Sequence, residues 1–289
     1  MKPMQSFNRG LSDEFVAELL SGRFAGLLAE SLRVGLDVQI REDYLNFYHD
    51  GLSVLALSEH TSSPRHRGRI HRKYLDGIQL PCAMASAGDY RRFDATEQFV
   101  EPYIRCLPAL LANAATYAGL EAIVEQRMIQ ASHTAGATVA FIDRQVQVHG
   151  VRKKADLVGL TAAGQFAITE VKQGLDNRIQ YLMDQIGEYY TVMAGPDGCL
   201  REEVARSYRR VAEQKQSLGL LPGNTRFPDD RMQMTCLLVL YGYNPRSELL
   251  ARLRQASAAH SLPVALVVLP EGSYTLPPVA AWERLCPVQ

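Results

Sequence analysis

The segment ADLVGLTAAGQFAITEVKQG, which begins at Ala155, constrains the fold more than any other part of the 289-residue chain. Two apolar runs, 156–160 and 166–172, flank a turn-like stretch, which is the pattern of a β-hairpin. If the chain folds back at the centre of that stretch, the numbers of paired residues add up to 326, and Asp156 faces Glu170. Directly opposed residues have Cβ atoms about 5 Å apart, where like charges are destabilising. The sequence therefore predicts a hairpin in which two carboxylates need a further partner.

Lys172 follows Glu170 by two residues, and the alternation of a strand places both side chains on one face, next to Asp156. A hard divalent cation would relieve the repulsion between the carboxylates, because Mg²⁺ prefers oxygen ligands and is usually held by one or two carboxylates. Such a cation activates water and neutralises charge on phosphate, and an adjacent lysine orients that water or stabilises the transition state. The three side chains therefore predict a Mg²⁺ or Mn²⁺ site for chemistry at phosphorus.

The same residues resemble the motif of the PD-(D/E)XK phosphodiesterase superfamily. Asp156 is followed by thirteen residues and then by Glu170–Lys172 at the end of an apolar strand. The next helix contains QIGEY, in which Gln185 and Tyr189 are similar to the QxxxY motif of the RecB-like branch. Ala155 stands where the motif's name has a proline that many members lack.

The resemblance covers residues 97–270 and implies a restriction-endonuclease-like core and a metal-dependent nuclease, with DNA favoured over RNA as substrate. It implies that two carboxylates, a backbone carbonyl and an acidic residue on the helix before the first strand bind the metal. The implied ligands are Asp156, Glu170, the Val171 carbonyl and one of Glu125 and Glu121. Lys172 would serve the nucleophilic water, whereas Gln185 and Tyr189 would organise the site or contact the nucleic-acid backbone. The implied catalytic residues are Asp156, Glu170, Lys172, Gln185 and Tyr189.

Nucleic acid would have to be bound by local basic patches, because Lys plus Arg equals Asp plus Glu and the formal net charge is zero. One patch immediately precedes Asp156, where it is well placed to hold a substrate strand, and a second lies in the basic run 65–73. The candidate nucleic-acid-binding residues are Arg152, Lys153, Lys154, Arg67, Arg69 and Arg72.

Each of these assignments has a structural alternative. Glu170 and Lys172 could belong to a solvated strand edge, although Phe166 on the same face favours burial. Gln185 and Tyr189 could be a surface amide beside a buried aromatic ring. The two glutamates of the preceding helix could form a solvated helix face, and the basic run an exposed hairpin.

Two other functions remain compatible with the sequence. The first is a non-catalytic nucleic-acid-binding or assembly protein that keeps the nuclease fold, which need not bind Mg²⁺. The second is an ordinary α/β protein with an accidental motif, in which Asp156 and Glu170 would lie too far apart to share an ion.

The order of predicted elements indicates an α/β fold. Residues 11–33 are typical of one amphipathic helix, residues 38–57 of strands joined by an Asp-Gly turn, and residues 96–132 of helix with a break near Pro108. Strands mixed with crossover helices follow, so the sheet is expected to be part antiparallel and part parallel, and flanked by helices. The predicted units are a small β-rich accessory unit with one helix in residues 1–95 and a nuclease-like domain in residues 96–289.

Composition limits the compartment and the partners. The five cysteines have no CxxC spacing, which is typical of a reducing compartment rather than a disulfide framework or a zinc site. The first residues lack the apolar core of a signal peptide, and no stretch approaches the ~20 apolar residues of a membrane span. We therefore expect a cytoplasmic protein without a membrane partner. No Walker A loop is present, so any ATPase partner would be a separate chain, and the sequence leaves a homodimer open.

Overall fold

A computed structural model gives the chain seven α-helices and two six-stranded sheets within the described residues. The described residues are 7–59, 66–134, 136–147, 154–174, 179–194, 199–223, 225, 233–258, 260 and 262–286. The helices are α1 (Asp13–Leu20), α2 (Ala25–Arg33), α3 (Glu97–Ala115), α4 (Leu120–Ser132), α5 (Ile179–Ala194), α6 (Cys199–Ser217) and α7 (Glu248–Ser257). The strands are β1 (Asp37–Ile40), β2 (Tyr44–His49), β3 (Leu52–Glu59), β4 (His66–His71), β5 (Ala85–Ala87), β6 (Tyr90–Ala95), β7 (Val139–Gln147), β8 (Lys154–Thr161), β9 (Phe166–Lys172), β10 (Met234–Tyr241), β11 (Val264–Leu269) and β12 (Glu283–Arg284). The mixed α/β class predicted from the sequence is confirmed, and within the described residues no helix has the length and apolar character that a membrane span requires.

Two compact units share the chain. The mixed-sheet unit comprises Met1–Asn8, Arg127–Ala212 and Leu221–Gln289. The antiparallel-sheet unit comprises Arg9–Gln126 and Glu213–Leu220. The divisions thus fall inside α4 and near the end of α6, whereas the sequence suggested a boundary between residues 95 and 96. Helix α3, which follows that boundary, belongs to the antiparallel-sheet unit.

The mixed-sheet unit contains a sheet in the order β12-β11-β10-β9-β8-β7. Strands β7, β8 and β9 form an antiparallel meander, whereas β9, β10 and β11 are parallel and β12 is antiparallel to its neighbour. The parallel strands are connected through α5 and α6 and then through α7. The expected combination of antiparallel and parallel pairing is confirmed.

Strands β8 and β9 form the predicted hairpin in the predicted register. Val158 pairs with Ile168, and the neighbouring pairs keep the sum of 326. Gly164 closes the turn at φ +77°, a conformation that glycine adopts without a steric penalty. Two residues beyond the pair Val158–Ile168, the same register places Asp156 and Glu170 on a common face of the sheet.

One face of the mixed sheet is covered by α5 and α7. Leu182 and Ile186 of α5 pack with Leu253 of α7 and with Leu238 of β10 in a buried apolar cluster. Burying one such side chain contributes roughly 1.5–3 kcal/mol, so this cluster fixes α5 against the sheet. Glu170 pairs with Leu238 across the parallel strands and therefore faces the layer that contains α5.

The antiparallel-sheet unit contains a sheet in the order β1-β2-β3-β4-β6-β5. Its buried face packs on α3, and two of its strands, β4 and β6, alternate between buried and more exposed residues. Gly68 allows a close approach on the buried face, because a Cβ at this position would lie 2.1 Å from ring atoms of Phe93. The predicted Asp-Gly turn joins β2 to β3, with φ +46° at Asp50 and +80° at Gly51.

The single helix expected over residues 11–33 is wrong, because the structure has α1 and α2 there with residues 21–24 between them. Ser12 caps α1 by accepting a hydrogen bond from the Phe15 amide at 3.0 Å, as its residue type predicts. Helix α1 ends at Leu20. The amide and the guanidinium of Arg23 then both donate hydrogen bonds to the Glu18 carboxylate. This local pairing replaces the next helical turn.

The break expected near Pro108 is also wrong. Helix α3 continues through Pro102 and Pro108 to Ala115, and the chain leaves the helix only before α4 begins. A proline inside a helix removes one hydrogen bond and costs roughly 3 kcal/mol. The buried side chains of Tyr103 and Leu107 and of two further residues of α3, Leu110 and Ala114, offset that cost through packing.

Candidate functional site

The carboxylates of Asp156 and Glu170 lie on adjacent strands, β8 and β9, and both are nearly inaccessible to solvent. Their residues are 6% and 3% exposed, respectively. The structure therefore contradicts the alternative in which Glu170 lies at a solvated strand edge. Burial of an isolated carboxylate is costly unless hydrogen bonds or an opposite charge compensate, so the surroundings of both groups are informative.

The ammonium of Lys172 lies among three oxygen atoms of the motif. Its Nζ is 2.8 Å from Oε1 of Glu170, 3.4 Å from Oδ2 of Asp156 and 2.9 Å from the carbonyl oxygen of Val171. These are the atoms that the superfamily resemblance nominated as metal ligands. The structure thus brings the four predicted residues of the two strands together around one positive charge.

Asp156 is held by two further donors. The backbone amide of Val171 donates to Oδ2 at 2.9 Å, and the side-chain amide of Gln145 donates to Oδ1 at 3.4 Å. Burial raises the pKa of the Asp156 carboxyl, while the charge of Lys172 and these hydrogen bonds act in the opposite direction. The geometry therefore fixes the orientation of a carboxylate that is costly to ionise without a nearby cation.

Helix α5 reaches the same carboxylates through the QxxxY pair. Nε2 of Gln185 donates to Oε1 of Glu170 at 2.8 Å and to the hydroxyl oxygen of Tyr189 at 3.0 Å. Tyr189 is fully buried, and burial together with Glu170 raises the pKa of its hydroxyl, which keeps it protonated. This burial favours the organising role for both residues over direct contact with a nucleic-acid backbone.

The donor set suits a hard divalent cation. Two carboxylates and a backbone carbonyl offer oxygen ligands only, which is the preference of Mg²⁺ and Mn²⁺. The three oxygen atoms already converge on one cation, since Nζ of Lys172 contacts all of them. The chemistry and the convergence of these atoms therefore fit the ion that the sequence predicted.

The two additional acidic candidates lie on α4, before the first strand of the meander, as predicted. Glu121 is in the first turn of this helix, and Glu125 is one turn further along and buried. Both glutamates belong to the antiparallel-sheet unit, whose first segment ends at Gln126. Their role as ligands stays a prediction.

The basic candidates are distributed over both units. Lys154 is exposed at the start of β8, while Arg152, Lys153 and Arg65 lie outside the described residues. Arg67 and Arg69 lie on β4, which makes this part of the basic run a strand. Arg72 lies in a short 3₁₀ helix and forms an ion pair of 3.1 Å with Asp89.

Two functional candidates were missed in the sequence. Gln145 contacts Asp156, but this contact depends on the pairing of β7 with β8, whose register shifts between Phe141 and Asp143. Arg92 lies opposite Arg69 in the other sheet, and the sequence around it gave no strong strand signal. Neither contact could have been found without the strand pairings.

The comparisons with known proteins add no relative. No family model, no curated protein and no solved structure matches this chain.

Proposed function

We propose that this protein is a metal-dependent nuclease with a restriction-endonuclease-like core. The observation that carries the proposal is the convergence of Asp156, Glu170 and the Val171 carbonyl on the ammonium of Lys172. These residues resemble the PD-(D/E)XK motif, and they lie on adjacent strands of a mixed sheet. The resemblance favours DNA over RNA as the substrate.

Asp156, Glu170 and the Val171 carbonyl would hold Mg²⁺ or Mn²⁺. When bound, such an ion supplies positive charge for the phosphate and increases the acidity of water. Hydrolysis adds one water across a phosphorus–oxygen bond and yields a phosphate monoester and a free hydroxyl. The buried carboxylates keep their geometry during this reaction because the Val171 amide, Gln145 and Gln185 hold them.

Lys172 is the residue best placed to act on the reacting atoms. Its side chain is 27% exposed, whereas those of Asp156 and Glu170 are 9% and 4% exposed. Its ammonium can therefore meet a phosphate or a water at the surface of the pocket and stabilise negative charge there. Lys154, at the exposed start of β8, would contact the substrate backbone together with Arg152 and Lys153.

The test is cleavage of supercoiled plasmid, linear duplex, single-stranded DNA and RNA, with Mg²⁺, with Mn²⁺ and with a chelator. We expect metal-dependent cleavage that Glu170→Gln abolishes. The matched control is Glu188→Gln, which makes the same chemical change at an exposed position of α5 and should cleave like the wild type.

Two outcomes would contradict the proposal. Wild-type rates in both Glu170→Gln and Asp156→Asn would place any active site elsewhere. Absence of cleavage and of Mg²⁺ binding, with nucleic-acid binding intact, would favour the non-catalytic alternative.

A further inference from the structure

Strands β4 and β6 of the antiparallel sheet carry an arginine-rich face, on which Arg67 and Arg92 are exposed and Arg69 is partly exposed. Strands β4 and β6 alternate, so that Gly68 and Phe93 are buried while Arg67, Arg69 and Arg92 point to the other side. The register places Arg69 directly opposite Arg92. Like charges in directly opposed positions are destabilising, so this pair costs folding energy unless an anion lies between or above the two guanidinium groups.

A groove of about 330 Å³ lies over these residues. It is lined by Tyr44, Ala56, Ser58, Arg67, Gly68, Arg69 and Arg92, all of the antiparallel-sheet unit. Within the part of the chain that the structure describes, no acidic side chain forms an ion pair with any of the three arginines. The one acidic residue in register with them is Asp94, which faces Arg67 across the strands. The groove therefore has a net positive charge in a protein whose overall charge is zero.

The arginines are also arranged for a chain of phosphates rather than for one small anion. Arg67 and Arg69 are two residues apart on β4, which separates them by about 6.7 Å along the strand. The guanidinium of Arg69 lies over the ring of Tyr90 at 4.7 Å, and this cation–π contact holds the group in place. Guanidinium groups bind phosphate through two parallel hydrogen bonds, which lysine does not provide.

We infer that this groove, which we call the arginine groove (Arg67, Arg69 and Arg92), binds the phosphate backbone of nucleic acid. The inference goes beyond cleavage, since it requires binding only and would stand if the metal-dependent hydrolysis failed. It also revises the sequence-based set: Arg92 replaces Arg72, whose guanidinium is engaged by Asp89.

The test measures binding of labelled single-stranded DNA, duplex DNA and RNA in a chelator, where cleavage cannot interfere, over a range of salt concentrations. The groove variant carries Arg67→Gln, Arg69→Gln and Arg92→Gln. Each phosphate contact contributes about 0.7–0.9 to the slope of log affinity against log salt, so the loss of three contacts should lower the slope by about 2 to 3. The comparison of single strand, duplex and RNA identifies which source supplies the phosphates.

The control variant carries Arg33→Gln, Arg91→Gln and Arg105→Gln, which removes the same charge from the same unit. Arg33 and Arg105 pair with glutamates on helices, and Arg91 contacts Ser86 on the side of β6 opposite to Arg92. We expect the slope of the control variant to differ from the wild-type slope by no more than the contribution of about one phosphate contact. Equal losses in both variants, or no loss in either, would overturn the inference.

A competitor distinguishes nucleic acid from an acidic protein partner. If poly-glutamate of matched charge binds as tightly as the oligonucleotides and the groove variant loses both, the ligand is an acidic protein and the inference is wrong. Should the triple variant fail to fold, Arg92→Gln alone relieves the repulsion with Arg69 and should melt no lower than the wild type. That single variant is expected to lower the slope by about 0.7–0.9, and an unchanged slope would overturn the inference.

Discussion

Gln185 and Glu170 lie on different elements and are joined by a hydrogen bond of 2.8 Å from Nε2 to Oε1. The same amide group also contacts the Tyr189 hydroxyl at 3.0 Å. One side chain of α5 thus links a buried tyrosine to a buried carboxylate of β9. This link makes Gln185 a positioning residue whose effect should appear in metal dependence rather than in substrate contact.

We expect Gln185→Ala to reduce cleavage by about 10- to 100-fold at limiting Mg²⁺, because loss of a group that orients a ligand typically costs this much in metal affinity or activity. Higher Mg²⁺ should restore much of the rate. The measurement is the Mg²⁺ concentration for half-maximal cleavage. Tyr189→Phe is the milder comparison, since it removes the second partner of Gln185 and leaves the bond to Glu170. An unchanged Mg²⁺ requirement in Gln185→Ala would contradict the positioning role.

Gly159 should be intolerant of any side chain. A Cβ at this position of β8 would lie 2.4 Å from Cγ1 of Val139 and 3.0 Å from the Ala140 carbonyl oxygen. We expect Gly159→Ala to destabilise the protein by about 1–3 kcal/mol, because extra atoms in a packed site force shifts of their neighbours. Denaturant titration measures this free energy. Gly223→Ala is the control, since no atom lies within 4 Å of a Cβ there, and it should be close to neutral.

His66 should make the stability of the protein sensitive to acid. The imidazole packs between the rings of Phe15 and Phe24, at 4.5 and 4.8 Å, and neither ring nitrogen has a hydrogen-bond partner in the described residues. Burial lowers the pKa of His66 below its ordinary 6.5, and Arg23 adds to this effect, whereas Glu18 and a second glutamate, Glu59, oppose it. The folded state therefore disfavours the protonated ring.

The sign of the pH dependence follows from proton binding. Between the lowered pKa of the folded state and 6.5, the unfolded chain binds more protons than the folded one, so stability falls as the pH is lowered through this range. A tenfold difference in the acid dissociation constant of His66 between the folded and unfolded states corresponds to about 1.4 kcal/mol of unfolding free energy. His66→Leu should flatten the curve of unfolding free energy against pH below 6.5. Parallel curves for the variant and the wild type would exclude His66 as the source.

The hairpin of β8 and β9 could be predicted from the sequence in detail, because local chemistry decides it. A short turn between two apolar runs fixes both the register and the face, so the approach of Asp156, Glu170 and Lys172 followed from alternation. The QxxxY spacing likewise placed Gln185 and Tyr189 on one face of the next helix. These predictions needed no knowledge of the rest of the chain.

Other features depend on tertiary contacts and could not be read in this way. The continuation of α3 through Pro108 reflects buried side chains that offset a lost hydrogen bond. Strand β4, HRGRIH, has too few apolar residues to indicate a strand, and it forms one because β3 and β6 pair with it on both sides. The pairing of Arg69 with Arg92 follows from this and was invisible in the sequence.

Lys172 offers the sharpest separation of metal binding from chemistry. Its Nζ contacts the same three oxygen atoms that would bind the ion, so the ammonium and a divalent cation compete for them. Lys172→Met should therefore keep or increase the stabilisation by Mg²⁺, while cleavage falls by about 10²- to 10⁴-fold, as expected when a group that acts on the reacting atoms is lost.

Without metal, the Lys172→Met variant should melt below the wild type, because two buried carboxylates then lose their counter-charge. The free energy of unfolding should fall by up to about 3 kcal/mol. This value is the lower end of the range for breaking a buried ion pair, because the lysine side chain is 27% exposed. Thermal melts at increasing Mg²⁺ measure the recovery, which grows with ligand concentration when only the folded state binds. Glu170→Gln is the matched comparison, because it should lose both cleavage and the Mg²⁺ effect. If Lys172→Met instead loses the Mg²⁺ effect together with cleavage, the lysine supports the metal site rather than the chemistry. If the variant cleaves at the wild-type rate, Lys172 has no part in the reaction.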